Sequence, residues 1–234
     1  VQQVIAPEIN WATLRVLARN GVEVVIPPEQ GCCGAIAIHT GDLMLARTLA
    51  ANNMRALIVE VDAILSNAAG CGSGMKEYPL IFKGTEMDEE AKSFAEKVQD
   101  ISVFLENLGI VKPPDLKNPL NLAYHDACHL AHAQSVTVEP RALLCSIQNL
   151  TLIDLPESEI CCGSAGTYNL EQPEIAKLLG NRKANHIIGV GADAVATGNI
   201  GCMVQLRSTI NAAGENIPVW HTLEILDRAY REKL

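Results

Sequence analysis

The sequence predicts an α/β protein of two duplicated lobes, each built on an open parallel sheet and related to the other by pseudo-twofold symmetry. Three observations lead there. Short runs rich in Val, Ile and Leu alternate with longer segments of helical period, the order that gives parallel strands joined by right-handed crossovers. Gly31-Cys32-Cys33-Gly34-Ala35 has an echo in Cys161-Cys162-Gly163-Ser164-Ala165. Each doublet is answered by a Gly-Cys pair, Gly70-Cys71 lying 38 residues beyond Cys33 and Gly201-Cys202 lying 40 beyond Cys162. In between, Ala46 and Leu49 match Ala176 and Leu179 at a constant step of 130. A long period of this kind marks an internal duplication.

Taken in order, residues 6–20 place Ile9, Leu14 and Leu17 at helical spacing, with Gly21 just past the end. Residues 22–26 read as a short strand leading to the first doublet. Residues 40–60 predict a helix with Thr40 or Asp42 at its N-cap and Leu43, Ala46, Leu49, Ala50 and Asn53 along one face. Residues 62–67 predict the strand before Gly70-Cys71, and 75–84 a turn of helix and a loop. Residues 88–108 read as one amphipathic helix with Phe94, Val98, Ile101, Leu105 and Leu108 inward. Lys112 to Pro119 contains three prolines, which neither a helix nor a central strand accepts, so it is the expected linker between lobes 1–112 and 120–234. The second lobe repeats the scheme, with strands at 120–125, 151–155, 193–197 and 219–221 and helices at 140–150, 173–189, 203–213 and 222–233.

Composition narrows the function classes. Hydrophobic residues make up 48% and charged residues 19%, enough to bury a sizeable core without disulfide staples. The eight cysteines therefore read as reduced thiols in a cytoplasmic setting rather than as a secreted framework. Net charge is −9 with no basic cluster, which argues against a nucleic-acid partner. No apolar run of transmembrane length is present.

In a parallel sheet the strand C-termini share one edge, where ligands bind. Cys128, Cys161 with Cys162, and Cys202 each follow a predicted strand, so four thiols from three loops are expected at one rim. Adjacent cysteines are poorly placed to bridge each other but can both face a metal. Cys128 precedes Cys161 by 33 residues, and the same step back from Cys32 falls just before Val1. A cysteine at or a few residues upstream of Val1 is accordingly expected in the parent reading frame. Thiolates beside glycine suit zinc or iron held with sulfide. The chain has no Cys-x-x-Cys knuckle of the kind structural zinc sites favour, yet a structural zinc module and a thiol-based redox catalyst stay open as alternatives.

The repeated Cys-Cys-Gly with its later Gly-Cys resembles the cysteine-rich domain shared by the iron–sulfur subunits of heterodisulfide reductase, lactate-utilisation and anaerobic glycerol-3-phosphate dehydrogenase systems. Ala6-Pro7-Glu8-Ile9-Asn10, Gly70-Cys71-Gly72, Lys76-Glu77-Tyr78 and Cys161-Cys162-Gly163-Ser164-Ala165-Gly166-Thr167-Tyr168 are similar to the glycolate oxidase iron–sulfur subunit family over essentially the whole chain. That resemblance implies an iron–sulfur cluster of 4Fe-4S type on Cys128, Cys161, Cys162 and Cys202 and a second set on Cys32, Cys33 and Cys71. It also implies FAD on partner dehydrogenase subunits, electrons passing from a 2-hydroxy acid towards a quinone pool, and peripheral membrane association through the complex. Two departures stand out. The ferredoxin-like Cys-x-x-Cys-x-x-Cys runs of that family are not in this sequence, and Asn199 occupies the place where the heterodisulfide reductase pattern has the first cysteine of Cys-x-x-Cys.

Other residues carry blander expectations. Cys145 lies in an apolar helix without a repeat counterpart and reads as core packing. His125, His129 and His132 crowd Cys128 and read as hydrogen-bond donors to sulfur or rim residues, with mixed ligation or a Cys-His nucleophile as the sharper alternative. His39 sits near the first doublet. His221 reads as a satisfied core histidine, Lys76 and Glu77 as a solvated pair, and Tyr168 and Trp220 as core or rim.

Overall fold

A computed structural model describes residues 1–57 and 60–234. Its elements in chain order are α1 (Gln2–Ile5), α2 (Pro7–Arg19), α3 (Ala35–Thr40), α4 (Leu43–Ala56), β1 (Ile64–Ser66), α5 (Ala69–Lys76), α6 (Tyr78–Phe82), α7 (Asp88–Lys97), β2 (Val98–Asp100) and α8 (Ile101–Leu108), then β3 (Leu120–Tyr124), α9 (Cys128–Ala131), α10 (Glu139–Cys145), β4 (Leu150–Ile153), α11 (Tyr168–Glu171), α12 (Pro173–Gly189), β5 (Ala194–Thr197), α13 (Ile200–Ala212), β6 (Val219–His221) and α14 (Thr222–Tyr230). Among the described residues no helix is long and apolar enough to cross a membrane.

The α/β class with parallel sheets is what the sequence predicts. Four strands make one all-parallel sheet in the order β4-β3-β5-β6, and β1 pairs with β2 in a second, also parallel. Strand alternation decides which face each residue serves. Leu122, Tyr124, Ala194 and Ala196 join the core shared with α2, α8, α10 and α14, while Ala123, Val195 and Val219 join the core shared with α12 and α13. Covered on both faces, this sheet tolerates near-continuous apolar strands such as Ala194–Thr197, buried at every position.

The packing crosses the proline-rich stretch. Helix α2 rests on α14, and α10 rests on α8, so each half lends a helix to the other. Val16, Leu17, Ile101 and Leu105 share one cluster with Leu122, Leu143, Leu144, Leu223 and Leu226. A third cluster, from Ala37 to Val98, lies entirely in the first half around Tyr78, Phe82 and Phe94. Arg15 forks onto Asp227, its Nε and Nη2 each 2.7 Å from a carboxylate oxygen, tying α2 to α14.

Several boundaries need correction. Residues 22–26 are not a strand; Val25 and Ile26 are more than half exposed. In the second half the strand before the doublet, β4, pairs with β3, and among the described residues no strand of the first half lies in the position that β3 holds. A run of strand-forming residues without a neighbour cannot satisfy its backbone as a strand. The single helix expected at 88–108 is three elements. Val98 pairs with Ile64, and Asp100 caps α8 by accepting from the Ser102 amide at 2.8 Å and from the Ser102 hydroxyl. The expected helix 40–60 runs from Leu43 to Ala56, with Asp42 capping it by accepting from Leu45 N at 3.0 Å; residues 58 and 59 lie outside the described residues. The segment 75–84 is more helical than expected and belongs to α5 and α6, whereas the helix expected at 140–150 stops at Cys145. Cys145 is exposed rather than core, because Leu143, Leu144 and Ile147 fill the inward positions of that turn.

Candidate metal centre

The site is assembled by three crossings of one sheet edge. Strand β3 ends at Tyr124, and Cys128 opens α9 four residues on. Strand β4 ends at Ile153 and feeds a turn over residues 156–160 that delivers Cys161 and Cys162. Strand β5 ends at Thr197, and Cys202 lies in the first turn of α13, thirteen residues long, where the positive end of the helix dipole favours a thiolate.

The chain holds these loops tightly. Arg182 and His186 on α12 grip the Glu157 carboxylate, and the buried Lys183 between them donates to the Glu157 carbonyl. Asp126 donates its amide to Ser158 O at 3.1 Å, and its carboxylate takes both arms of Arg141 at 2.6 Å. Burial opposes the Asp126 charge, but the Arg141 fork outweighs it and holds the carboxyl below its ordinary range. Gly163 has φ +93°, and a Cβ there would fall 2.4 Å from the Ala176 carbonyl oxygen. Glycine alone fits, and its amide reaches back to Cys161 Sγ at 3.3 Å.

The four thiols are electrostatic neighbours in sequence around the rim, Cys128 beside Cys161, Cys161 beside Cys162 and Cys162 beside Cys202. Protonation alternates along it. The bond to Cys161 pushes the Cys128 thiol up, and bonds to Cys161 and Cys202 push Cys162 up further, while Cys161 and Cys202 as acceptors are held far below the usual thiol range. The set therefore favours thiolate at Cys161 and Cys202, and a cation would displace the protons left on the others. His125 is buried beside them. Its ring nitrogen, Cys162 Sγ and Cys202 Sγ lie within 4.8 Å of one another; among the described residues neither His125 nitrogen makes a hydrogen bond of regular geometry, and the nearby ring helps hold the Cys202 thiol low.

The first set is looser. Cys71 raises the Cys33 thiol beside it, and Cys33 in turn lowers Cys71, while Cys32 is exposed. Asn53 clamps the doublet by accepting from Gly31 N and donating to Cys32 O, both at 2.8 Å, and Tyr78 donates to Cys33 O at 2.8 Å. Gly34, at φ +77°, packs on the backbone of Ala46 much as Gly163 packs on Ala176.

The two sets meet at a seam between α5 and the loops of the large sheet. Ala69 N donates to Gly198 O at 3.2 Å, Gln134 donates to Ala69 O at 3.0 Å, and the His39 and His129 rings lie 5.2 Å apart. Asn199 spans the seam, donating to Cys202 Sγ at 3.5 Å and accepting from Gly70 N at 3.5 Å. Among the histidines His129 Nδ1 lies 3.7 Å from Cys128 Sγ, His132 contacts Glu159 O at 3.2 Å, and His221 caps α14 by accepting from Leu223 N at 3.1 Å. Sequence reasoning missed Lys183 and the bridging role of Asn199. Lys183 stands 130 residues after Asn53, the same step that relates Ala46 to Ala176, so a buried polar residue under each doublet was there to be read.

The donor set fits a soft metal centre: four thiols, two of them favouring the thiolate, gathered with a buried imidazole. A parallel α/β sheet whose C-terminal edge collects such thiols defines a cysteine-rich metal-binding protein. The chain belongs to the CCG cysteine-rich domain family, whose family model matches residues 1–76 and 122–207.

The chain is 34% identical over 237 residues to the "Glycolate oxidase iron-sulfur subunit" of Escherichia coli (strain K12), covering 99% of this chain and 56% of that protein. It is 37% identical over 231 residues to one of the subunits of the fumarate reductase (CoM/CoB) of Methanothermobacter marburgensis, covering 97% and 44%. With the "Lactate utilization protein A" of Geobacillus thermodenitrificans (strain NG80-2) it shares 32% over 220 residues, 94% of this chain and 92% of that one. The chain spans about half the length of the first two relatives and nearly all of the third.

Proposed function

We propose that this chain is the iron–sulfur electron-transfer subunit of a glycolate oxidase-type 2-hydroxy-acid dehydrogenase, an oxidoreductase component that relays electrons from FAD on a partner subunit towards quinone. The observation that carries the proposal is the gathering of four thiols, Cys128, Cys161, Cys162 and Cys202, at one sheet edge. Cys32, Cys33 and Cys71 would be ligands of a second centre, with residues 1–112 and 120–234 as the two cysteine-rich units. Iron and sulfide held on these thiolates, as a 4Fe-4S cluster, supply one-electron storage. The chain's own residues tune it: the Gly163 amide and the Asn199 carboxamide donate to sulfur, and both interactions favour the reduced, more negative state.

A second reading, a subunit of a lactate-oxidising system, is favoured by the 92% coverage of lactate utilization protein A. Glycolate and lactate are both 2-hydroxy acids, so either places substrate choice on the flavoprotein. The test is anaerobic loading of the full chain, with iron and acid-labile sulfide measured, followed by dye and quinone reduction together with its flavoprotein partners on glycolate and on lactate. A brown protein whose colour and relay activity are lost in Cys161→Ser and Cys162→Ser is expected. A colourless protein retaining zinc, or full turnover with a physiological acceptor in the doubly substituted protein, would overturn the proposal in favour of a structural zinc module.

A further inference from the structure

Most buried histidines declare their role through a partner. His221 Nδ1 accepts a backbone amide, and even the half-buried His186 turns its Nε2 to Glu157. His125 is 0% exposed and has none. An unpartnered polar group in a dry interior costs roughly 1–3 kcal/mol, and of the two fully buried imidazoles among the described residues only His125 lacks a partner at both nitrogens.

The backbone aims that ring deliberately. His125 N donates to Ala196 O at 2.9 Å, prolonging the β3–β5 ladder by one residue, and the next residue is locked by Ser158 and Arg141. With both flanks fixed, the imidazole projects from the sheet edge between the β4 and β5 loops, and its nitrogen falls within 4.8 Å of Cys162 Sγ and Cys202 Sγ. Three donors sharing one ion at about 2.0–2.3 Å each would lie within such a distance of one another. The ring also favours the Cys202 thiolate beside it, and imidazole suits iron and zinc alike.

We propose that His125 is a nitrogen ligand of the metal centre bound by Cys162 and Cys202, making the second set a mixed nitrogen and sulfur site instead of an all-thiolate one. This rests on the assignment of those cysteines as ligands. Arg141, through Asp126, acts as a positioning residue that sets the ring's direction. The competing role, a hydrogen bond from His125 to a cysteine sulfur, leaves the metal with sulfur neighbours only.

The experiment uses the untagged full chain, loaded anaerobically, with X-ray absorption at the edge of whichever metal it retains. In the iron-loaded, reduced form, pulsed EPR on protein labelled with 15N-histidine is added. One imidazole scatterer and a directly bound histidine nitrogen are expected in the unaltered protein, both lost in His125→Ala and in His125→Gln. A sulfur-only shell in the unaltered protein, or an imidazole signal surviving either substitution, overturns the proposal. The unaltered protein decides alone, so a variant that fails to fold does not protect the idea. Metal and sulfide analysis separates the two proposals. Zinc without sulfide defeats the iron–sulfur function while the zinc edge still tests His125; iron with sulfide and no bound nitrogen defeats His125 alone; retention of no metal defeats both.

Discussion

At the scale of single residues, Gly163 shows how closely the doublet is fitted. Its φ of +93° is strained for any L side chain, and the added Cβ would meet backbone, the Ala176 carbonyl 2.4 Å away, which cannot swing aside. Gly166 also has a positive φ, +62°, but nothing within 4 Å of a Cβ there. Gly166→Ala should therefore cost only the backbone penalty, roughly 1–3 kcal/mol, and Gly163→Ala clearly more. Urea denaturation of the metal-free chain reads the difference, and equal losses would mean that the loop shifts freely around residue 163. The cysteines and this glycine were legible because their chemistry is local: two thiols and a glycine in a row, twice. His125 was less so, since a histidine three residues before a cysteine gains its meaning only from the β3–β5 register that buries it.

Among elements, α14 carries a pH sensitivity. His221 caps it through a neutral Nδ1 accepting from Leu223 N at 3.1 Å, while Glu224 accepts from His221 N at 2.8 Å. Burial pushes the His221 pKa down to about 4. In the unfolded chain it titrates near 6.5, so between those values the unfolded state binds a proton that the folded state refuses. The stabilisation is complete above about pH 6.5 and is lost as pH falls towards 4, amounting to about 2 kcal/mol between pH 7 and 5. His221→Asn keeps a capping oxygen and removes the titration, so its denaturation free energy should fall less over that interval. Buried Asp100 and Glu224, both raised by burial, titrate in the opposite sense but are common to the two proteins. Parallel slopes would show that His221 is protonated without cost. The elements themselves were legible where one period dominates: α12 spans Pro173–Gly189 as read, because Pro at its start and apolar spacing agree. They were not where tertiary pairing decides. Val98 and Leu105 keep helical spacing across a strand and a cap, and residues 22–26 have strand composition without a neighbouring strand.

For the whole molecule, the decisive feature is that the halves share a core: α2 and α8 of the first half pack in one cluster with β3, α10 and α14 of the second, beside a cluster that the first half keeps to itself around Cys33. Leu105, in the first half, is fully buried in a cluster whose other members include Leu122 on β3, Leu143 on α10 and Leu226 on α14. The repeat carries no sign of this, because a period in sequence says which residues correspond and nothing about which half supplies the covering helix. Leu105→Ala leaves a cavity and should cost about 2–5 kcal/mol. If the halves were independent, that loss would stay among the helices of residues 1–112. With a shared core it must reach the far side of the large sheet. The probe is the Val195 amide, which donates to Pro218 O at 2.9 Å and whose side chain packs in the other cluster, away from Leu105. Under conditions where exchange follows global opening, its protection should fall by the full cost of Leu105→Ala, roughly 30-fold or more for a loss above 2 kcal/mol. Unchanged protection at Val195 would show two separately stable units joined by the 112–119 stretch. The seam between Asn199 and Gly70 would then be a docking contact, free to open and change the separation of the two cysteine sets.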